Sequence, residues 1–317
     1  MSSFASGGLH VGMERRAEVG ELDVYAVIST IGFVELNDTL KSLIRQSYPI
    51  REIVVVDQSG AGLDSNAIGV REICASHGSA IKITYVRDTR RGASRGRNAG
   101  LDLLPRTGLV FFPDDDAIYD DQFVARLVDE IRGGYHFCAG VLYIDRTLRR
   151  GRLPGRFLGR ADITIDNVLW AFCEATILMR LDILADDRFD ENIGVGSGTW
   201  AGGDEGADLV IRLIRKGARG VVNPLAMVFH PDKSELISEG LFDRARLYSI
   251  GRGLTLRRHR IGWRVIAQEL IRPIAAMLLW TVRLNFGRAR YYRVVLNGKI
   301  SGYVRPARAL AARRCGK

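Results

Sequence analysis

Cysteine is scarce: Cys74, Cys138, Cys173 and Cys315 are the only four in 317 residues, with no Cys-x-x-Cys pair and no metal-ligand spacing. That excludes a disulfide framework and leaves buried or incidental thiols in a reducing compartment. The first twenty residues carry acids and glycines but no continuous apolar stretch, so they read as a flexible leader rather than a signal peptide. Long apolar runs are missing as well. The longest near the C-terminus, Ile274 to Val282, is about half of what a membrane-spanning helix needs, and Pro273 is expected to break the pattern just before it. There are no internal repeats and no nucleic-acid-binding motif, so nucleic acid is not an expected partner.

Charge is present but divided. From Arg244 to Lys317 there are 18 Lys and Arg against one acid, Glu269, a balance of +17. The other 243 residues hold 28 basic and 35 acidic side chains, a balance of −7. The chain is therefore a mildly acidic body with a strongly basic C-terminal part.

The body alternates strands and helices. Leu22 to Thr30, Glu52 to Asp57, Ile81 to Val86 and Leu109 to Phe112 are short apolar, β-branched runs. Between them, helical spacing is expected over Glu35–Gln46, Asn66–Ser76 and Arg97–Leu104. This predicts an α/β fold with a parallel sheet covered on both faces. Ligands of such sheets bind beyond the carboxyl ends of the strands, which singles out Thr30, Asp57 and Asp114 to Asp116. Further on, a helix is expected over Gln122–Ile131, strands over Tyr135–Ile144 and Phe172–Arg180, and a Gly/Arg-rich loop over Arg149–Arg160. A glycine-dense, mobile stretch, Ile193 to Gly206, should lead into a helix over Ala207–Lys216 and a last strand over Gly220–His230. The chain thus divides into a leader (1–20), a body (21–238, with its pattern changing after 120) and a basic amphipathic helical region (239–317).

Three adjacent acids, Asp114, Asp115 and Asp116, end an apolar strand, and their mutual repulsion calls for a divalent cation. In an extended segment Asp114 and Asp116 share a side and can face one Mn2+ or Mg2+ ion. Asp57 can accept hydrogen bonds from a ribose or a base edge. Arg95, Arg97 and Asn98, in the Gly-rich segment RRGASRGRNAG ahead of a helix, suit a pyrophosphate. A second acidic group, Asp204, Glu205 and Asp208, lies among glycines at the start of a helix, where an acid is either a cap or a general base.

Five separated stretches between Leu22 and Pro231 resemble, in order, the family-2 glycosyltransferases of GT-A fold. AVIST is similar to the family's first-strand V-I-P-T and places Thr30 at the nucleotide edge. REIVVVDQSG resembles E-I-I-V-V-D-D-G-S, which gives Asp57 a base or ribose contact and puts Gln58 where the family has a second Asp. GASRGRNAG resembles G-x-x-x-A-R-N-x-G, matching Arg97 and Asn98. FFPDDDAIYDDQF resembles F-x-D-D-D-x-x-x-x-D, matching Asp114 to Asp116 as the D-x-D element. FDENIGVGSGTWAGGDEGADLVIRL resembles the stretch carrying the catalytic base. Alignment on Leu209 and Arg212 places Glu205 on the E of the E-D pair and Gly206 on the usual base position. His230 falls where related enzymes offer a metal or phosphate ligand.

The resemblance implies metal-assisted, inverting transfer from a UDP-, GDP- or dTDP-linked sugar to a glycan or lipid-linked acceptor. Asp114, Asp116 and His230 would hold Mn2+ or Mg2+, with Thr30, Asp57, Arg97, Asn98, Asp114 and Asp115 around the donor. The base would be Glu205 or Asp204, with Asp208 placing the loop, and Trp200 either stacking on the acceptor or anchoring the loop. A sugar-phosphate nucleotidyltransferase would need a Gly-rich phosphate loop after the first strand, and ISTIGFVEL has none. A non-catalytic sugar-binding relative is the other alternative, motivated by Gly206. The basic helices Phe242–Arg258, Trp263–Ile271 and Ile274–Phe286 combine Arg with Leu, Ile and Trp, as suits a peripheral protein on an anionic cytoplasmic membrane face.

Overall fold

The computed structural model describes residues 22–32, 36–60, 70, 72, 81–145, 150, 151, 159–230 and 239–305. Strands β1 (Val24–Thr30), β2 (Glu52–Asp57), β3 (Lys82–Arg87) and β4 (Leu109–Phe111) form the parallel half of a sheet. Helices α1 (Leu36–Ile44) and α2 (Ala93–Leu101) lie between them in sequence. The expected helix over Asn66–Ser76 lies outside the described residues except for Val70 and Glu72. Every residue of β1 but Ser29 is buried, and alternate side chains enter two different cores. Tyr25 and Val27 join one cluster, while Val24, Ala26 and Ile28 join the other. Apolar residues at consecutive positions are what a strand covered on both faces requires.

The sheet continues with β5 (Ile118–Tyr119), β6 (Phe137–Asp145), β9 (Ile177–Arg180) and β10 (Gly220–Phe229), and its order is β3-β2-β1-β4-β9-β6-β10-β5. Two short strands, β7 (Arg150–Gly151) and β8 (Ala161–Ile163), pair with β6 and β10 off this path. Unlike the first half, this part is mixed: β9 runs antiparallel to both β4 and β6. Helix α3 (Phe123–Arg132) buries Phe123, Val124, Leu127, Val128 and Ile131 at helical spacing.

Three expectations are corrected. The strand over Phe172–Arg180 shortens to β9, because the Thr176 amide and hydroxyl both donate to the Cys173 carbonyl and wind residues 174–176 into a tight turn. Short helices α4 (Val168–Ala171) and α5 (Leu181–Leu184) flank this region. The glycine-dense stretch over Ile193–Gly206 is built into the fold. Ile193, Trp200 and Ala201 form a buried cluster with Ile250 and Leu254, which lie more than forty residues further on. The helix after it, α6, runs Glu205–Arg215.

The third correction concerns the C-terminal part, which is three long helices: α7 (Glu239–Arg258), α8 (Trp263–Val282) and α9 (Phe286–Val304). Pro273 sits inside α8 without ending it. A proline deprives the carbonyl four residues back of its helical donor. That carbonyl belongs to Glu269, and the Lys299 ammonium of α9 donates to it at 3.0 Å. The uninterrupted α8 has 20 residues and is long and apolar enough to cross a membrane by length and composition, whereas the shorter apolar run alone was not. Helices α7 and α9 approach closely at glycines: a Cβ on Gly302 would fall 2.0 Å from the Ile250 carbonyl, and one on Gly253 2.0 Å from that of Lys299.

Candidate active site

Thr30 and Asp57, in register at the ends of β1 and β2, open the ligand edge. The Thr30 hydroxyl donates to Asp115 at 2.6 Å, tying the first strand to the acidic triplet. Asp57 accepts from the Ser59 amide at 2.8 Å and from the Tyr85 hydroxyl. Burial and this bond push the Tyr85 hydroxyl up to about 12. Gln58, at the place of the family's second Asp, is buried. Its amide donates to the Arg90 and Gly92 carbonyls at 2.6 and 3.2 Å, and its oxygen accepts from Ser29 at 3.1 Å. Gln58 thereby fixes the turn that launches α2. Gly92 has φ +132°, and Gly96 and Gly100 let the helix lie against β1, since a Cβ on either would come within 2.3 Å of Ser29 or Val27.

Arg97 on α2 is buried and reaches into the site, with its guanidinium 3.1 Å from Glu205 and 3.5 Å from Asp114. Its neighbours turn elsewhere. Arg95 pairs with Glu191 at 3.2 Å, and Asn98 clamps Phe189 by two reciprocal 2.9 Å bonds, amide to carbonyl and backbone N–H to amide oxygen. Asn98 is therefore engaged in holding the chain at Phe189.

Asp114, Asp116 and His230 bring one ligand atom each to within 4.8 Å of one another. The His230 Nε2 lies 2.9 Å from Asp116. Two carboxylates and an imidazole suit Mn2+ or Mg2+. Burial lifts the Asp114 carboxyl to about 6, opposed by Arg97 and reinforced by Asp116 and Glu174. A carboxyl that resists ionisation beside a second acid is one that a cation would stabilise.

The three acids nominated around the base part company. Asp208 is buried against His259 (2.8 Å), Arg258 (3.1 Å) and Arg212 (3.1 Å), so it locks α6 to α7. Asp204 has φ +70°, a left-handed conformation beside Gly203, and turns to Arg252 at 2.5 Å. Arg252 continues to Glu269 at 3.4 Å, which also binds Lys299 at 2.9 Å. Of the three, only Glu205 pairs with Arg97, the same guanidinium that reaches Asp114. Burial, and then the negative charge of Glu174, push it up to about 7 against the pull of Arg97. Trp200 is buried, with Arg305 over its ring at 5.5 Å, which is the loop-anchoring arrangement.

Glu174 was not singled out by sequence. It comes from the turn before β9 and accepts the Gly206 amide at 3.0 Å. Its signal was there: it is the one charged residue between Val168 and Met179. Of the described cysteines, Cys138 and Cys173 are free thiols.

A sheet of this order, with an acid triplet at the end of β4 and an arginine facing it, defines a nucleotide-sugar transferase of GT-A type. A profile of glycosyl transferase family 2 matches residues 33–209, more than half of the chain, and the chain belongs to that family. No curated protein sequence matches it. Solved structures share the fold at low identity. The mannosyltransferase PcManGT from Pyrobaculum calidifontis, determined with GDP-Man and Mn2+, superposes with a TM-score of 0.59 at 17% identity, covering 89% of this chain and 88% of that one. TarS 1-349 of S. aureus, with UDP-GlcNAc, gives 0.54 at 14% identity, covering 89% and 92%. GalNAc-T7 with UDP, GalNAc and Mn2+ gives 0.54 at 14% identity, covering 77% and 51%.

Proposed function

We propose that the chain transfers a sugar, with inversion, from a nucleoside diphosphate donor to a glycan or lipid-linked acceptor, in the synthesis of a polysaccharide or glycoconjugate. The observation that carries this reading is the placing of Arg97 between Asp114, of the Asp114–Asp116–His230 group, and Glu205. Thr30, Asp57 and Asp115 line the donor side, and Arg97 offsets the extra negative charge that the nucleoside diphosphate gains as it leaves with the bonding electron pair. Asn98 contributes by holding α2 rather than by touching phosphate. Asp114, Asp116 and His230 would hold Mn2+ or Mg2+, which supplies Lewis-acid stabilisation of the leaving diphosphate. Asp204 and Asp208, in their ion pairs with α7, place the loop that delivers Glu205. A carboxylate of the cluster around Arg97 takes the acceptor proton, and of the three acids at the N-terminus of α6 only Glu205 lies in that cluster.

The same reading places the protein peripherally on the inner face of the cell membrane. The charged groups Glu269 and Arg272 of α8 turn inward, Arg272 over Trp170 at 4.5 Å, while Trp263, Ile271, Leu278 and Val282 face out. Arg283 and Arg288 stack on Trp280 at 5.4 and 4.3 Å near the end of α8. An exposed apolar face rimmed by Arg–Trp pairs fits the interface of an anionic bilayer. The function is tested by incubating UDP-, GDP- and dTDP-sugars with Mn2+, then with EDTA. Release of nucleoside diphosphate only with metal supports it, and metal-independent release or release of a sugar phosphate contradicts it.

A further inference from the structure

The general base must reach an acceptor hydroxyl, so access to the cleft decides the assignment before acidity does. Glu205 is enclosed. Its side chain is 6% exposed, Arg97 holds one oxygen, and Gly194 closes over it so tightly that a Cβ there would fall 2.8 Å from the Glu205 carboxyl carbon. Asp204 and Asp208 are held by Arg252 and by the His259 group. Glu174 is different. It is only half-buried, and its charge bears on Asp114, Arg97 and Glu205 together, so it stands within the same cluster.

Its position also accounts for Gly206. A Cβ on Gly206 would fall 2.4 Å from the Glu174 Cγ, 2.5 Å from its Oε1 and 2.8 Å from its carboxyl carbon. The volume that a side chain at 206 would fill is thus filled by the Glu174 carboxylate, arriving from the turn before β9. The Gly206 N–H, one of the unpaired donors at the start of α6, fixes that carboxylate through Oε1. A carboxylate anchored by one oxygen still offers the lone pairs of the other.

Resting on the glycosyl-transfer reading above, we infer that Glu174 is the catalytic base, and that Glu205 is a positioning residue which holds Arg97 over the donor. The Glu174 carboxylate takes the proton of the acceptor hydroxyl as that oxygen bonds to the anomeric carbon. The bond from the anomeric carbon to the diphosphate oxygen breaks, and its electron pair leaves with the nucleoside diphosphate. The proton on Glu174 then passes to water.

The experiment is Mn2+-dependent turnover of UDP-GlcNAc and GDP-mannose with water as acceptor, read together with UDP and GDP affinity. Glu174→Gln should lower turnover by about 10²-fold or more with nucleotide affinity within about twofold of wild type, the scale of losing a general base. Glu205→Gln should instead weaken nucleotide binding, through Arg97. The exchange of Glu174→Gly with Gly206→Asp returns a carboxylate to the same volume from the facing element. It should turn over at least about tenfold faster than Glu174→Gly alone, a rescue that a merely structural glutamate would not give. Near-wild-type turnover in Glu174→Gln, or the reverse split between the two glutamates, overturns the assignment. A wild-type chain that binds neither UDP nor GDP with Mn2+ overturns the glycosyl-transfer reading, and this one with it.

Discussion

The donor side of the sheet and the C-terminal helices are held in place by different means. On the donor side, the polar side chains proposed for the site sit at the ends of neighbouring parallel strands, and register does the positioning: Thr30 pairs with Asp57, and Asp57 with Arg87. In the helices, buried charges do it. Arg252 on α7 bridges Asp204, 48 residues earlier, and Glu269, 17 residues later, and Lys299 of α9 closes the group. The first device displays its ligands on an edge. The second spends its charges inside and leaves apolar residues such as Val282 and Leu284 exposed. Despite its charge of +17, the basic C-terminal part is therefore not simply an appended patch, because part of that charge holds the loop that leads into α6.

The largest effect that would break this comparison is at Arg252. Replacing it with Met leaves Asp204 and Glu269 buried without their shared partner, and the expected cost is about 3–5 kcal/mol of stability. Urea unfolding checks it; a loss below about 1 kcal/mol would mean that α7 does not brace the loop.

Next comes pH. Glu205 has its folded pKa raised to about 7, so the folded chain keeps a proton that an unfolded glutamate gives up. That stability is fully present below about pH 4.5 and is lost as pH rises through about 7. The Glu205 part of the change is of the order of 1–3 kcal/mol. Glu205→Gln should flatten the stability profile over that window, measured as Tm against pH. An unchanged profile would show that Glu205 titrates like an exposed acid.

The smallest effect is at the membrane. Binding to vesicles containing phosphatidylserine should weaken as salt rises, at about 1 kcal/mol per basic residue near the surface at low salt. Leu278→Glu with Val282→Glu should weaken it further while nucleotide affinity stays unchanged. Equal partitioning of both forms would remove the membrane role from α8.

Much of the donor half was legible because its elements are set by local pattern. Apolar runs ending in Asp57 or Asp114 announce both strand and site, and the expected strand ends fell within a residue or two of those found. The surroundings of Glu205 were not. Glu174 lies 31 residues before Glu205 and was read as part of a strand; only the tight turn at Thr176 brings it against Gly206. The glycines from Gly194 to Gly203 suggested mobility, yet they permit close approach: a Cβ on Gly202 would meet Leu247 at 2.9 Å, and one on Gly203 would meet Tyr248 at 3.2 Å. Glycine reports that backbone is crowded or twisted, and only the packing says which. Pro273 misled for a similar reason. Its helix-breaking cost is offset by a lysine 26 residues away, beyond the reach of any local rule.

Asp114, Asp116 and His230 are expected to bind a divalent cation together with a nucleoside diphosphate. Isothermal titration of UDP and GDP, each with and without Mn2+, on the wild-type chain and on Asp116→Asn tests it most directly. Mn2+ should strengthen binding of at least one nucleotide by about tenfold or more, and the variant should lose this gain while keeping its Tm within a few degrees. Equal affinity with and without Mn2+ in the wild type, or an undiminished gain in Asp116→Asn, would contradict it.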